Sequence, residues 1–288
     1  MRARQYLAAL LCVAAVGTGI AAEERTGGPY VPTPQPVVDE MLKLADVRKE
    51  DYVIDLGSGD GRIVLTAARR YQARGMGVDI DGELVERSNA AAQSDGLENL
   101  VQFQQRDVLQ TGIGEASVLT LYLLPNMMAS LRSKILAELK PGSRVVSHDF
   151  EFGEWQPDRK ITVDAPDKYG SGHHWTSNVM LWVVPARVEG AWRIALAGSA
   201  DKPYTITLKQ KFQHLEGEAM QGGKRIELKS AQLDGNKIRF VLQPPAPRAA
   251  PREFHGVVDG DQIRGEVTMA QVTAHWTAKR VVTAAQTR

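Results

Sequence analysis

The sequence contains a single cysteine, Cys12, among 288 residues. It falls inside an apolar N-terminal run, so once that run is removed no disulfide, thiol nucleophile or cysteine-based metal site remains. Charge of one sign is equally scarce, with 35 Lys+Arg against 34 Asp+Glu. Without Arg2 and Arg4 the basic count drops from 35 to 33 against 34 acids, a net charge near −1. So even a balance gives no long-range attraction for nucleic acid or acidic lipid, and no nucleic-acid partner is expected. His173 and His174 have no third ligand at a recognisable spacing, so no metal is expected. No serine sits in a nucleophile-elbow sequence, which argues against a hydrolase.

The chain begins "MRARQYLAALLCVAAVGTGIAAEE". Arg2 and Arg4 precede an apolar run from Leu7 to about Val16, and small residues follow to Ala21 and Ala22. This is the layout of a secretory signal peptide over residues 1–22, which predicts a secreted or periplasmic protein. The alternative is an uncleaved membrane anchor, although the run is shorter than the ~20 apolar residues of a spanning helix. No stable membrane span is expected in the mature chain. Composition is otherwise that of a globular protein, 43% hydrophobic and 24% charged, and the length suits two domains.

Residues 23–36, rich in Gly and Pro, form an extended arm. Strands and helices then alternate. "YVIDL" is a strand, Arg62 to Tyr71 a helix, "GMGVDI" a strand, Gly82 to Ser94 a helix and "LVQFQQRDV" a strand. "ASVLTLYLL", a helix from Met127 to Glu138, and "SRVVSHDF" continue the pattern. Such alternation predicts an α/β domain over residues 37–187, with a doubly wound, mostly parallel, Rossmann-like sheet. "KITVDA" and "NVMLWVVPA" follow as strands without helices, and Pro185 to Gly190 marks a boundary. Residues 188–288 carry closely spaced strand segments with hairpin signals at Asp234-Gly235 and Asp259-Gly260, which predicts an antiparallel β-barrel or sandwich.

The first strand runs into "DLGSGDGR", with glycines at Gly57, Gly59 and Gly61. Glycine is required where the chain turns sharply and a ligand approaches bare backbone at a helix N-terminus. The spacing is G-x-G-x-G, with Arg62 where a dinucleotide fingerprint continues toward its third glycine. With Asp55 closing the strand, this segment resembles motif I of the seven-strand S-adenosylmethionine methyltransferases. Asp79 in "GVDID" and Asp107 in "QQRDVL" stand at the ends of the next two strands, where that resemblance asks for acids. The segments "PYVPTPQPVVDEML", "YLLPNMM" and "FEFGEW" are similar to the small protein-lysine methyltransferases of mitochondrial inner-membrane proteins, over roughly residues 29–185.

The resemblance implies a residue set. Tyr30 and Thr33 of the arm would lie over the methionine end of the cofactor S-adenosyl-L-methionine. Asp55, Gly57, Ser58 and Gly59 would cradle it, with Asp79 on the ribose and Asp107 near the base. Tyr122 to Asn126 would line the methyl-transfer side. Tyr122, Asn126 and Glu151 are the expected catalytic or pocket residues, with Glu151 able to accept a proton or orient an amine, and Trp155 is the other aromatic near these strand ends. The implied function is N-methylation of a protein lysine or another amine-bearing acceptor. A second reading is an exported, non-catalytic binding protein whose β domain holds an apolar ligand or a partner.

Overall fold

A computed structural model describes residues 30–166, 168, 175–198, 202–244 and 249–281. The predicted signal segment, the first part of the arm, and His173 and His174 lie outside the described residues.

The chain enters as an arm and forms α1 (Gln35–Leu44). Proline in its first turn removes only an amide that the helix leaves unpaired. Val37, Val38, Met41 and Leu42 make its buried face. Then come β1 (Tyr52–Leu56), α2 (Arg62–Tyr71), β2 (Arg74–Asp79), α3 (Gly82–Ser94), β3 (Val101–Gln105), β4 (Val118–Leu121), α4 (Pro125–Glu138) and β5 (Arg144–His148). α3 starts where the Asp81 carboxylate accepts from the amides of Glu83 (2.9 Å) and Leu84 (3.4 Å), which satisfies two donors the helix cannot.

With β6 (Arg159–Asp164) and β7 (Thr176–Val183), these strands form a seven-stranded sheet in the order β3-β2-β1-β4-β5-β7-β6. β1 to β5 are parallel, and β7 runs antiparallel beside β5. The central strands are buried along almost their whole length, as strands covered by helices on both faces must be. The order reverses between β1 and β4, and at such a switch point a crevice opens at the carboxyl ends of the strands.

The rest of the described chain is β8 (Gly190–Leu196), β9 (Tyr204–Lys211), β10 (His214–Gln221), β11 (Lys224–Asp234), β12 (Lys237–Gln243), β13 (Arg252–Asp259), β14 (Gln262–Met269) and β15 (Val272–Arg280). These close into an antiparallel barrel, β10-β11-β12-β13-β14-β15-β8-β9. Trp192, Tyr204, Phe240, Phe254 and Trp276 are at most 1% exposed. Phe240 stacks on Phe254 at 4.8 Å, and Trp276 meets both rings edge-on. An eight-stranded barrel has an interior just wide enough for side chains to fill, and these rings fill it.

Sheet and barrel share a built contact. Trp155, 0% exposed, stacks on Phe212 at 5.9 Å and donates from Nε1 to Gln213 Oε1 at 3.2 Å. Gln213 Nε2 in turn donates to Gln156 O and Asp158 Oδ1, each at 3.0 Å. Trp155 is thus a core anchor at the seam.

Candidate cofactor and acceptor site

The carboxyl ends of β1, β2, β4 and β5 surround a cavity of about 560 Å³. Tyr30, Thr33, Asp55, Gly57, Ser58, Gly59, Asp79, Asp107 and Tyr122 all line it. Residues from distant points in the chain meet there because the parallel strands all end on the same edge of the sheet.

The loop after β1 has the left-handed backbone its glycines allow, with φ +79° at Gly57 and +54° at Gly59. A side chain at Gly59 would place Cβ 2.5 Å from Cε2 of Tyr30, and one at Gly57 would place it 2.8 Å from Cδ2 of Leu123. A side chain is therefore strained at both by the positive φ, and at Gly59 it also meets the Tyr30 ring. Ser58 is buried, and its Oγ has no hydrogen-bond partner among the described residues. A buried hydroxyl left unpaired is costly unless a ligand completes it. The glycine cradle and this orphan hydroxyl fit S-adenosylmethionine at the loop.

Asp79 accepts from the Gly59 amide at 2.8 Å through Oδ2 and from the Asp81 amide at 3.0 Å through Oδ1. Each oxygen keeps a lone pair free, so the carboxylate can also accept ribose hydroxyls. Asp107 is held at its turn by the Leu109 amide, 2.8 Å from Oδ1. Asp55 is different, being 2% exposed with its Oδ1 accepting from Thr120 Oγ1 at 2.7 Å. Burial pushes its carboxyl up to about 7, and the negative charges of Asp79 and Asp60 add to the rise.

The arm is fastened across this loop. Arg62 donates from Nη1 to Thr33 O at 2.9 Å and clasps Asp60 through Nε (2.8 Å) and Nη2 (2.6 Å). Tyr30 hydrogen-bonds the same Asp60 carboxylate, and burial, followed by that charge, raises its phenol above the usual range. Burial alone would lift Asp60, but the Arg62 guanidinium holds its carboxyl below the usual range.

At the other end of the cavity stand Tyr122, Leu123, Leu124, Met127 and Phe150. Tyr122 stacks on Phe150 at 6.1 Å and on His148 at 3.9 Å. Two expected residues are not here. Asn126 lies exposed in the first turn of α4 and does not line the cavity. Pro125 starts the helix, and the buried face that follows belongs to Met127 and Met128, which turns Asn126 outward. Glu151 is exposed and paired with Lys160 Nζ at 2.8 Å, because the chain after β5 has already left the crevice for β6. Neither residue is among those that line the cavity.

His148, Phe150, Asp60 and Arg62 belong to the site or its supports, and the motif reading of the sequence assigns them no ligand or catalytic role. Asp60 and Arg62 sit within the glycine motif itself. His148 closes a strand whose carboxyl end faces the crevice, which is the signal that would have found it.

The family model for the ANTKMT methyltransferase domain matches residues 55–159. A protein-lysine N-methyltransferase of Saccharolobus islandicus is 42% identical over 137 residues, which is 47% of this chain and 85% of that protein. An adenine nucleotide translocase lysine N-methyltransferase of Mus musculus is 33% identical over 149 residues, covering 50% of this chain and 65% of its own length. A solved structure of an RNA methyltransferase from Salinibacter ruber in complex with S-adenosyl-L-homocysteine is 47% identical, covers 55% of this chain and 96% of that chain, and has a TM-score of 0.49. The family model lies wholly within the α/β domain and leaves the barrel aside. On the extent of the archaeal match and the family model that begins at Asp55, this chain is an S-adenosylmethionine-dependent methyltransferase and belongs to the protein-lysine N-methyltransferase family.

Proposed function

We propose that this enzyme is exported and methylates the ε-amine of a lysine on a protein outside the cytosol, with the amine entering between Tyr122 and Phe150. The observation that carries the reading is one cavity with two chemically different ends. The glycine loop, Asp79 and Asp107 offer backbone and acceptors at one end, and Tyr122 and Phe150 offer aromatic faces at the other. The pattern of Arg2, Arg4 and the apolar run to Val16 supports export.

Bound S-adenosylmethionine supplies an activated methyl group on a sulfonium. The protein's part is to bring an amine into line with it and to keep water out. Tyr122 and Phe150 can hold the amine's cationic form by its attraction to aromatic faces. Leu123, Leu124 and Met127 beside them lower the local dielectric. Neutralising a lysine of pKa about 10.4 at pH 7 costs roughly 4.6 kcal/mol, and a desolvating wall reduces that cost. No protein nucleophile is needed.

Titration of S-adenosylmethionine and S-adenosylhomocysteine into the mature chain, with Asp79→Ala as control, tests the cofactor site. Micromolar binding that is lost in the variant is expected, and no binding to the intact chain would sink the reading. Residues 1–30 fused to a reporter active only outside the cytosol should give signal. A silent reporter rules out export and leaves the methyltransferase in place.

A further inference from the structure

His148 is 0% exposed, yet its ring touches three elements of the site. Nδ1 lies 3.2 Å from Thr33 Oγ1 on the arm. Nε2 lies 2.8 Å from Ser177 Oγ on β7. One ring face stacks on Tyr122 with centroids 3.9 Å apart and planes at 28°. Burial holds the imidazole down to about 4, so it is neutral at ordinary pH. A neutral imidazole donates from one nitrogen and accepts at the other, and each hydroxyl partner can take either role. The Asp149 carboxylate, with Oδ2 3.4 Å from Nε2, favours the proton on Nε2, which leaves Nδ1 to accept from the Thr33 hydroxyl.

The next residue is braced from outside. Asp149, at φ +63°, accepts the Asn178 amide at 2.9 Å and pairs with Lys168. That fixes the turn carrying His148. A polar ring in such a buried place costs stability unless it is fully hydrogen-bonded, and one of its two bonds goes to the arm. Thr33 is itself 4% exposed and lines the cavity. Its carbonyl is held by Arg62 from the glycine-loop side. Thr33 is thus gripped from both walls of the crevice, and the grip on the far wall also supports the Tyr122 ring.

We infer that His148 is a positioning residue that latches the N-terminal arm over the cofactor through Thr33 and sets the Tyr122 ring of the acceptor wall with the same side chain. Closing the cofactor end and ordering the acceptor end are then a single event. The inference rests on the proposed cofactor site and goes beyond it.

The test measures S-adenosylhomocysteine affinity by calorimetry for the mature chain and for Thr33→Val, Thr33→Ser, His148→Gln and the Thr33→Val/His148→Gln double variant. Each of Thr33→Val and His148→Gln should weaken binding about tenfold, the scale of one lost buried hydrogen bond. Thr33→Ser keeps the hydroxyl and should bind as the parent does. The double variant should bind no more weakly than His148→Gln, because both substitutions break one link. Parental affinity in His148→Gln, or single effects that multiply in the double variant, overturns the latch. If His148→Gln does not fold, the Thr33 pair decides: serine as weak as valine overturns it, and serine restoring binding supports it. Absence of binding by the parent chain overturns the cofactor site along with the latch, which separates the two failures.

Discussion

Asp55 shows how one carboxyl can join stability to cofactor binding. Burial lifts its folded-state pKa from 3.8 to about 7, so between those values the folded chain holds more protons than the unfolded one. Its stabilising contribution is complete below 3.8 and is lost as pH rises through about 7, a change on the order of a few kcal/mol. Asp55→Asn stays neutral, so its urea midpoint relative to the parent should rise from pH 5 to pH 8. A constant difference across that range would show that the parent carboxyl does not titrate there. The cationic cofactor favours the ionised carboxylate lining its cavity, so its affinity should increase over the same range in the parent and stay flat in Asp55→Asn. His148 has the opposite sign. Its depressed pKa makes its contribution complete above about 6.5 and lost as pH falls through about 4.

Among the elements, the arm is where sequence and site meet least obviously. Gly59 and Tyr30 are far apart in the chain, but Tyr30 occupies the space a side chain at Gly59 would need. Gly59→Ala should therefore weaken S-adenosylmethionine binding by an order of magnitude or more, by strain at a positive φ and by displacing Tyr30. Titration calorimetry checks this, and Tyr30→Ala in the same background should recover part of the loss. The elements themselves are largely legible in the sequence. α2 and α3 keep the predicted bounds, Arg62–Tyr71 and Gly82–Ser94, because a glycine loop and an Asp81 cap mark their starts. β3 and β4 are shorter than the strands read from the sequence, since Asp107 and Val108, and Tyr122 to Leu124, turn out to line the crevice. β10 carries the weakest signal. Its sequence, "HLEGEAMQ", has one fully buried side chain, Ala219, and a glycine at its centre, so little hydrophobic alternation marks it. Legibility in the site followed the same logic. Asp79 and Asp107 stand at fixed strand ends, whereas Asn126 and Glu151 belong to local motifs and are turned outward by helix phase and by an ion pair with Lys160.

At the scale of the whole molecule the barrel is a packed body fixed to the methyltransferase sheet. Trp155→Ala should destabilise the protein by about 3–5 kcal/mol, as loss of a large buried ring usually does, measured as a fall in the urea midpoint. If the two bodies share that seam, the unfolding transitions of sheet and barrel should separate in this variant and coincide in the parent. The seam has a further meaning for a chain made from its N-terminus onward. Trp155 waits for Gln213, a partner 58 residues downstream. During synthesis, one corner of the first domain's core stays open until the β9–β10 turn emerges, and a chain halted before that turn would present the face of Trp155 that Phe212 covers to whatever chaperone or protease stands at the exit.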